Sequence, residues 1–136
     1  ETTAHPHVLN LLAYEPGKPV EELAREMGLE PSAIIKLASN ENPLGPSPAA
    51  LEAMTAMLHR SHFYPDGGAW ALRNAIAEKL GVNRENVILG NGSNEIIEHL
   101  CHTFLNRDAE LIAAKHAFVV YKLMATLFGA KYIEVP

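Results

Sequence analysis

The stretch Leu89-Gly90-Asn91-Gly92-Ser93-Asn94-Glu95 is where residue type and order could do chemistry through the backbone. An apolar run precedes it and a helical pattern follows it, so the glycines fall in a turn between a strand and a helix. In that geometry the free N–H groups of the helix's first turn and the positive end of its dipole point at one spot, which suits a phosphate. A sharp strand-to-helix turn calls for glycine in any case, so the turn by itself leaves a purely structural role open. Two nucleotide readings fail on inspection. A dinucleotide fingerprint needs Gly where Glu95 stands, and a phosphate loop needs Gly-Lys-Ser or Gly-Lys-Thr. What remains is a phosphate seat without a nucleotide signature.

The loop Ala38-Ser39-Asn40-Glu41-Asn42-Pro43-Leu44-Gly45-Pro46-Ser47-Pro48 is the second candidate. Its prolines stiffen the backbone while Asn40, Glu41 and Asn42 offer donors and acceptors, an arrangement suited to polar groups of a small molecule. By composition alone it would also serve as a stiff linker. Among the seven histidines, His59 with His62 and His99 with His102 stand three apart. Helical spacing can place such pairs on one face, but no carboxylate or cysteine completes a ligand set, so no metal site is expected and the histidines read as solvated.

These candidates must be positioned by the elements around them. Residues 1–18 show no sustained periodicity and read as an extended arm with at most a short helix. Val20, Leu23, Ala24 and Met27 have helical spacing, begin behind Pro19 and stop at Gly28. Ile34–Leu37 is expected to make a brief strand. Ser47 before Pro48 opens a helix to about His59, since the hydroxyl caps and proline suits the first turn. Phe63–Gly68 reads as a turn, and Ala69–Leu80 as a helix ended by Gly81. The rhythm then changes: Val87–Leu89 reads as a short buried strand, and Ser93 to about Asn106 as a helix with Ile96, Ile97, Leu100 and Phe104 on one face. Leu111–Ala114 reads as a strand, His116–Phe128 as a helix stopped by Gly129, and Lys131–Val135 as a strand. Strand, helix, strand, helix, strand is the pattern of a parallel sheet covered by helices, so an α/β fold follows. Such sheets usually hold more strands, and the natural domain is expected to continue past Pro136.

Composition narrows the function classes. A chain of 136 residues fits one domain range, and 48% apolar with 20% charged residues is the balance of a globular protein. Eleven Lys and Arg against sixteen Asp and Glu give a net charge of -5, with the basic residues scattered, which argues against nucleic acid. The longest apolar run, Ala117–Phe128, is broken by Lys122 and is shorter than the ~20 residues that cross a bilayer. Cys101 stands alone and no arginine-flanked apolar leader opens the chain, so a reducing, cytoplasmic compartment is expected.

Four motifs now carry a family resemblance. Asn40 to Pro48, then Tyr64-Pro65-Asp66, then Gly90 to Glu95, then Ala117-Phe118-Val119-Val120-Tyr121, in that order and spacing, resemble the N-terminal portion of histidinol-phosphate aminotransferases, pyridoxal-phosphate enzymes of fold type I. The resemblance covers nearly the whole chain but about the first third of a family member. It implies an arm and substrate-side loop over residues 1–46 and the beginning of the cofactor-binding large domain over residues 47–136. It implies pyridoxal 5'-phosphate as cofactor, with Gly92, Ser93 and Asn94 holding its phosphate and Phe118 stacking on its ring. Members often carry tyrosine at the Phe118 position, and phenylalanine keeps the π face. Tyr64 would reach the cofactor phosphate of a neighbouring subunit in a homodimer, while Tyr14, Asn40 and Glu41 would lie near the substrate.

Asn94 stands where aspartate is common, and Lys115-His116 departs from the usual residues before the stacking aromatic; both bear on subgroup rather than family. The family holds its cofactor covalently on a lysine in a Ser-Lys context. None of Lys18, Lys36, Lys79, Lys115, Lys122 or Lys131 has that context, so no catalytic residue is assigned and the isolated chain is expected not to transaminate. The resemblance implies amino transfer between histidinol phosphate and 2-oxoglutarate or glutamate, in histidine biosynthesis. An aromatic aminotransferase or a threonine-phosphate decarboxylase of the same superfamily, or a non-catalytic cofactor-binding module, would share these motifs.

Overall fold

The protein is described here by a computed structural model covering residues 3–136. By its contacts the chain divides into two compact units, Glu15–Gly67 and the segment up to Tyr14 with Gly68–Pro136.

The first unit carries α1 (Val20–Met27) and α2 (Pro48–Met57). Helix α1 has Glu21 and Glu22 in its first turn and Arg25 in its last, charges that complement its dipole. It ends where Gly28 turns left-handed at φ 65°, a conformation that costs glycine nothing. Ala24 is buried at its inner face. Helix α2 opens as expected: Ser47 Oγ accepts the Ala50 N–H at 3.2 Å and Pro48 occupies the first turn. A 3-10 turn, Leu58–Arg60, finishes it. The expected strand at Ile34–Leu37 does not form. A 3-10 turn over Pro31–Ala33 leads into an unpaired segment with Ile35 and Leu37 exposed, because no neighbouring strand accepts its ladder bonds.

The second unit carries α3 (Trp70–Leu80), α4 (Gly92–Phe104), β1 (Glu110–Ala114), α5 (Val120–Phe128) and β2 (Lys131–Val135). Strands β1 and β2 pair in parallel, Glu110 opposite Lys131 through Ala114 opposite Val135. Helix α5 is the crossover between them, the βαβ unit that a parallel pair requires. Its left-handed stop is Gly129, as the sequence predicts, but its start is Val120 rather than His116. Residues 115–117 form a turn there, with the Ala117 N–H on the Ala114 carbonyl at 3.0 Å. Val87–Leu89 is likewise no strand among the described residues: Val87 is extended and buried, Ile88 is exposed, and neither pairs with β1 or β2.

The core of this unit lies between α4 and α5, where Ile97, Cys101 and Val120 are buried against Leu105, Leu111, Tyr121, Met124 and Phe128. Ile97 and Cys101 are one turn apart, which makes them the inner edge of α4; Leu100 and Phe104, expected on that face, stay exposed. The His102 ring meets Phe128 edge-on at 4.8 Å. Ile97, midway along α4, and Val120, at the start of α5, share one buried cluster, and His102 meets Phe128 near the ends of both helices, so α4 and α5 run side by side in the same direction.

Burial pushes the Cys101 thiol above its ordinary pKa. As pH rises the unfolded chain therefore loses this proton first, so the group's stabilisation is full below the ordinary thiol range and is lost as pH climbs through the folded value. Iodoacetamide should label Cys101 slowly in the folded chain and rapidly in denaturant. Equal rates under both conditions would show that the α4–α5 core is open.

Candidate functional site

The glycine-rich turn is held from within. The Gly92 N–H donates to the Gly90 carbonyl at 2.9 Å, and Gly92 itself has φ 80°, which only glycine adopts freely. A Cβ on Gly90 would stand 2.9 Å from Ile96 Cδ1 and 3.1 Å from a Glu95 carboxylate oxygen, so a side chain there would push the ends of these two side chains aside. Glu95 accepts the backbone N–H of Asn91 and, at 3.1 Å, its side-chain Nδ2–H. The amides of Asn91 and Gly92 are thus used inside the protein.

The N–H groups of Ser93 and Asn94 differ. They belong to the first turn of α4, where no helical carbonyl precedes them, and the helix has no side-chain cap. Both residues are exposed. Two donors and the Ser93 hydroxyl therefore face solvent at the positive end of a 13-residue helix, an arrangement that can take a phosphate or carboxylate. Of the expected trio, Ser93 and Asn94 offer backbone donors, whereas Gly92 serves by its conformation.

Phe118 lies in the loop between β1 and α5, two residues before Val120, and is 44% exposed. Because α4 and α5 run side by side in the same direction, Phe118 and the Ser93–Asn94 amides lie at the same end of the helix pair. That end is beyond the carboxyl terminus of β1, where ligands of open parallel sheets are bound. The cluster that Val120 shares with Ile97 and Cys101 joins the start of α5 to the body of α4.

The remaining residues belong to other segments. Tyr14 is exposed in a segment without regular structure after the arm's 3-10 turn, Val8–Asn10. The arm is fastened to the far end of α5, where His7 Nε2 lies 3.2 Å from the Leu127 carbonyl. In the other unit, Ser39 and Asn40 have φ 71° and 51°, left-handed conformations that cost a non-glycine residue about 1 kcal/mol or more each. Glu41 is held by Lys36, Nζ to Oε1 at 2.7 Å. Asn42 pins the loop: its Oδ1 accepts the Leu44 N–H at 3.0 Å and its Nδ2 donates to the Gly45 carbonyl at 3.1 Å. Tyr64 is fully exposed on an open concavity of about 670 Å³ lined also by Met54, Met57, Leu58, Arg60 and Phe63.

Sequence reasoning missed the parts played by Lys36, Asn42 and Glu95. Asn42 had a signal, since asparagine before a proline turn commonly bonds the backbone two residues on. Among the described residues no group of three His, Cys, Asp or Glu side chains is arranged to hold a metal ion. Among the described residues no helix is long and apolar enough to cross a membrane.

The fold is one found as part of a solved aminotransferase structure. A solved structure, histidinol-phosphate aminotransferase from Sinorhizobium meliloti in complex with pyridoxal-5'-phosphate, superposes on all of this chain and 35% of its own with a TM-score of 0.78 at 21% identity. By sequence the chain is similar to histidinol-phosphate aminotransferases, as its four motifs indicate. It is 57% identical to that of Akkermansia muciniphila over 136 residues, which is all of this chain and 38% of the relative. It is 53% identical to that of Anaeromyxobacter sp. and 47% identical to that of Halalkalibacterium halodurans, covering 96% of this chain and 35% of each relative. The chain thus spans little more than a third of the length of these relatives. No protein-family model matches it.

Proposed function

We propose that the complete protein is a pyridoxal-phosphate-dependent histidinol-phosphate aminotransferase, exchanging an amino group between histidinol phosphate and 2-oxoglutarate, and that this chain supplies its phosphate seat. The observation that carries the reading is the pair of uncapped amides, Ser93 and Asn94, at the head of α4, at the same end of the α4–α5 pair as Phe118. Residues of this kind fit the cofactor: two N–H donors and a hydroxyl suit a phosphate, and a half-exposed aromatic suits a heteroaromatic ring.

Pyridoxal phosphate supplies an electron sink for proton removal at the carbon bearing the amino group. The chain's own residues bind and orient. Ser93 and Asn94 donate to the phosphate, and Phe118 offers its face to the ring. Tyr14, Asn40 and Glu41 line the substrate side, with Lys36 and Asn42 fixing the loop that carries Asn40 and Glu41. None of the lysines here moves the proton; Lys18, Lys36 and Lys131 are already ion-paired, and that role falls to a lysine outside these residues. Residues 1–46 act as arm and substrate-side loop, and residues 47–136 open the cofactor-binding domain.

Tyr64 acts across a homodimer. A fully exposed tyrosine on an apolar concavity is covered when a second subunit packs there, and its hydroxyl then donates to that subunit's cofactor phosphate. The enzyme works in the cytoplasm, for histidine biosynthesis. Glutamate formation from 2-oxoglutarate with histidinol phosphate as donor tests the reading; turnover confined to aromatic amino acids, or decarboxylation of threonine phosphate, would replace it. Tyr64→Phe in the complete enzyme should weaken cofactor retention about tenfold, the loss of one hydrogen bond to a charged group, with little change in unfolding temperature. Equal retention would remove Tyr64 from the site.

A further inference from the structure

Asparagine at a helix N-cap ordinarily turns its side-chain oxygen onto the N–H groups two and three residues on. Asn91 occupies that position in α4 and does not do so. Its Nδ2–H is instead donated to Glu95, 3.1 Å away, and the same carboxylate oxygen accepts the Asn91 backbone N–H. Glu95 reaches back one helical turn and accepts from both nitrogens of Asn91, the backbone N–H and the side-chain amide. The amide group of Asn91 is thereby turned off the two N–H groups that the helix leaves open.

We propose that Glu95 is a positioning residue that keeps the anion seat vacant for its ligand by diverting the helix's own cap. The inference rests on the reading that Ser93 and Asn94 hold the cofactor phosphate. A carboxylate so near a phosphate is electrostatically unfavourable, so a purely electrostatic account has cofactor affinity rise when Glu95 is removed. Diversion of the cap has the opposite consequence. Without Glu95, Asn91 Oδ1 swings onto Ser93 or Asn94 and competes with the phosphate as an internal ligand.

The two are separated in the full-length enzyme by comparing affinity for pyridoxal phosphate with affinity for pyridoxal, which lacks the phosphate. Glu95→Ala should lower the preference for pyridoxal phosphate about tenfold, the size of one cap interaction, with pyridoxal affinity unchanged. Glu95→Gln, which keeps an acceptor for Asn91, should retain the preference. Adding Asn91→Ala to Glu95→Ala removes the competing cap and should restore most of it. An unchanged or increased preference in Glu95→Ala, or a double variant at least as impaired as the single one, would overturn the role of Glu95. If Ser93→Asp leaves the preference of the otherwise unaltered enzyme intact, the phosphate seat itself is wrong, a failure distinct from that of Glu95.

Discussion

Ile97→Ala should destabilise the folded chain by roughly 2–5 kcal/mol, the range for removing three carbons from a buried isoleucine and leaving part of the space unfilled. Ile97 is 7% exposed and stands in the cluster with Cys101 and Val120 that joins α4 to α5. Few side chains in this unit are buried as deeply, so the loss is a large part of the 5–15 kcal/mol that stabilises an ordinary domain. Phe104→Ala is the control. Phe104 belongs to the same apolar stripe in the sequence yet is 69% exposed, so its truncation should cost within about 0.5 kcal/mol. Urea unfolding of the two variants measures both; similar losses would mean that the α4–α5 contact is drawn wrongly. The consequence reaches the site, because this cluster joins α4, whose head carries Ser93 and Asn94, to the start of α5, which follows the loop bearing Phe118.

The second large effect is expected for Ser93→Asp in the complete enzyme. An aspartate in the first turn of α4 interacts well with the helix dipole and should leave folding intact or slightly improved. It also sets a fixed negative charge where the phosphate would sit. Two unit charges 4 Å apart repel by about 4 kcal/mol at an effective dielectric of 20, and the serine hydroxyl donor is lost as well. Affinity for pyridoxal phosphate should fall by about a hundredfold or more while the unfolding temperature holds. Spectroscopic titration with the cofactor reads the first and thermal unfolding the second. A variant that binds normally would remove the seat from α4, and one that fails to fold would show that Ser93 has a structural task.

The parts of this fold that the sequence announces are those fixed locally. Gly28, Gly81 and Gly129 end helices because a left-handed residue is needed there, and Ser47-Pro48 starts one because a hydroxyl and a ring meet the needs of an opening turn. Strands β1 and β2 are legible as apolar runs on either side of a helix. What is decided at a distance is not legible. Ile34–Leu37 and Val87–Leu89 have strand-like composition, but a strand exists only with a partner, and neither finds one among the described residues. Periodicity gave α4 an apolar stripe broader than the face that is buried, so it offered Phe104 where the fold uses Cys101.

The candidate site divides in the same way. The glycines of residues 90–92 and the helix behind them place an anion seat in the sequence, because turn and helix follow from adjacent residues. That Gly92 spends its own N–H on Gly90, leaving Ser93 and Asn94 as the donors, depends on the actual path of the turn. The Asn91–Glu95 contact is less visible still, since asparagine before a helix reads as a cap and here is not one. Tyr64 is marked in the sequence only by the motif Tyr64-Pro65-Asp66, and its exposure on an apolar concavity is a property of the folded surface.

The most direct test is a crystal structure of the full-length protein grown with pyridoxal phosphate. Phosphate oxygens should lie about 2.7–3.2 Å from the backbone nitrogens of Ser93 and Asn94, with the Asn91 side chain on Glu95 and the ring against Phe118. A phosphate bound away from the head of α4, or Asn91 folded over those two amides with the cofactor present, would contradict the account.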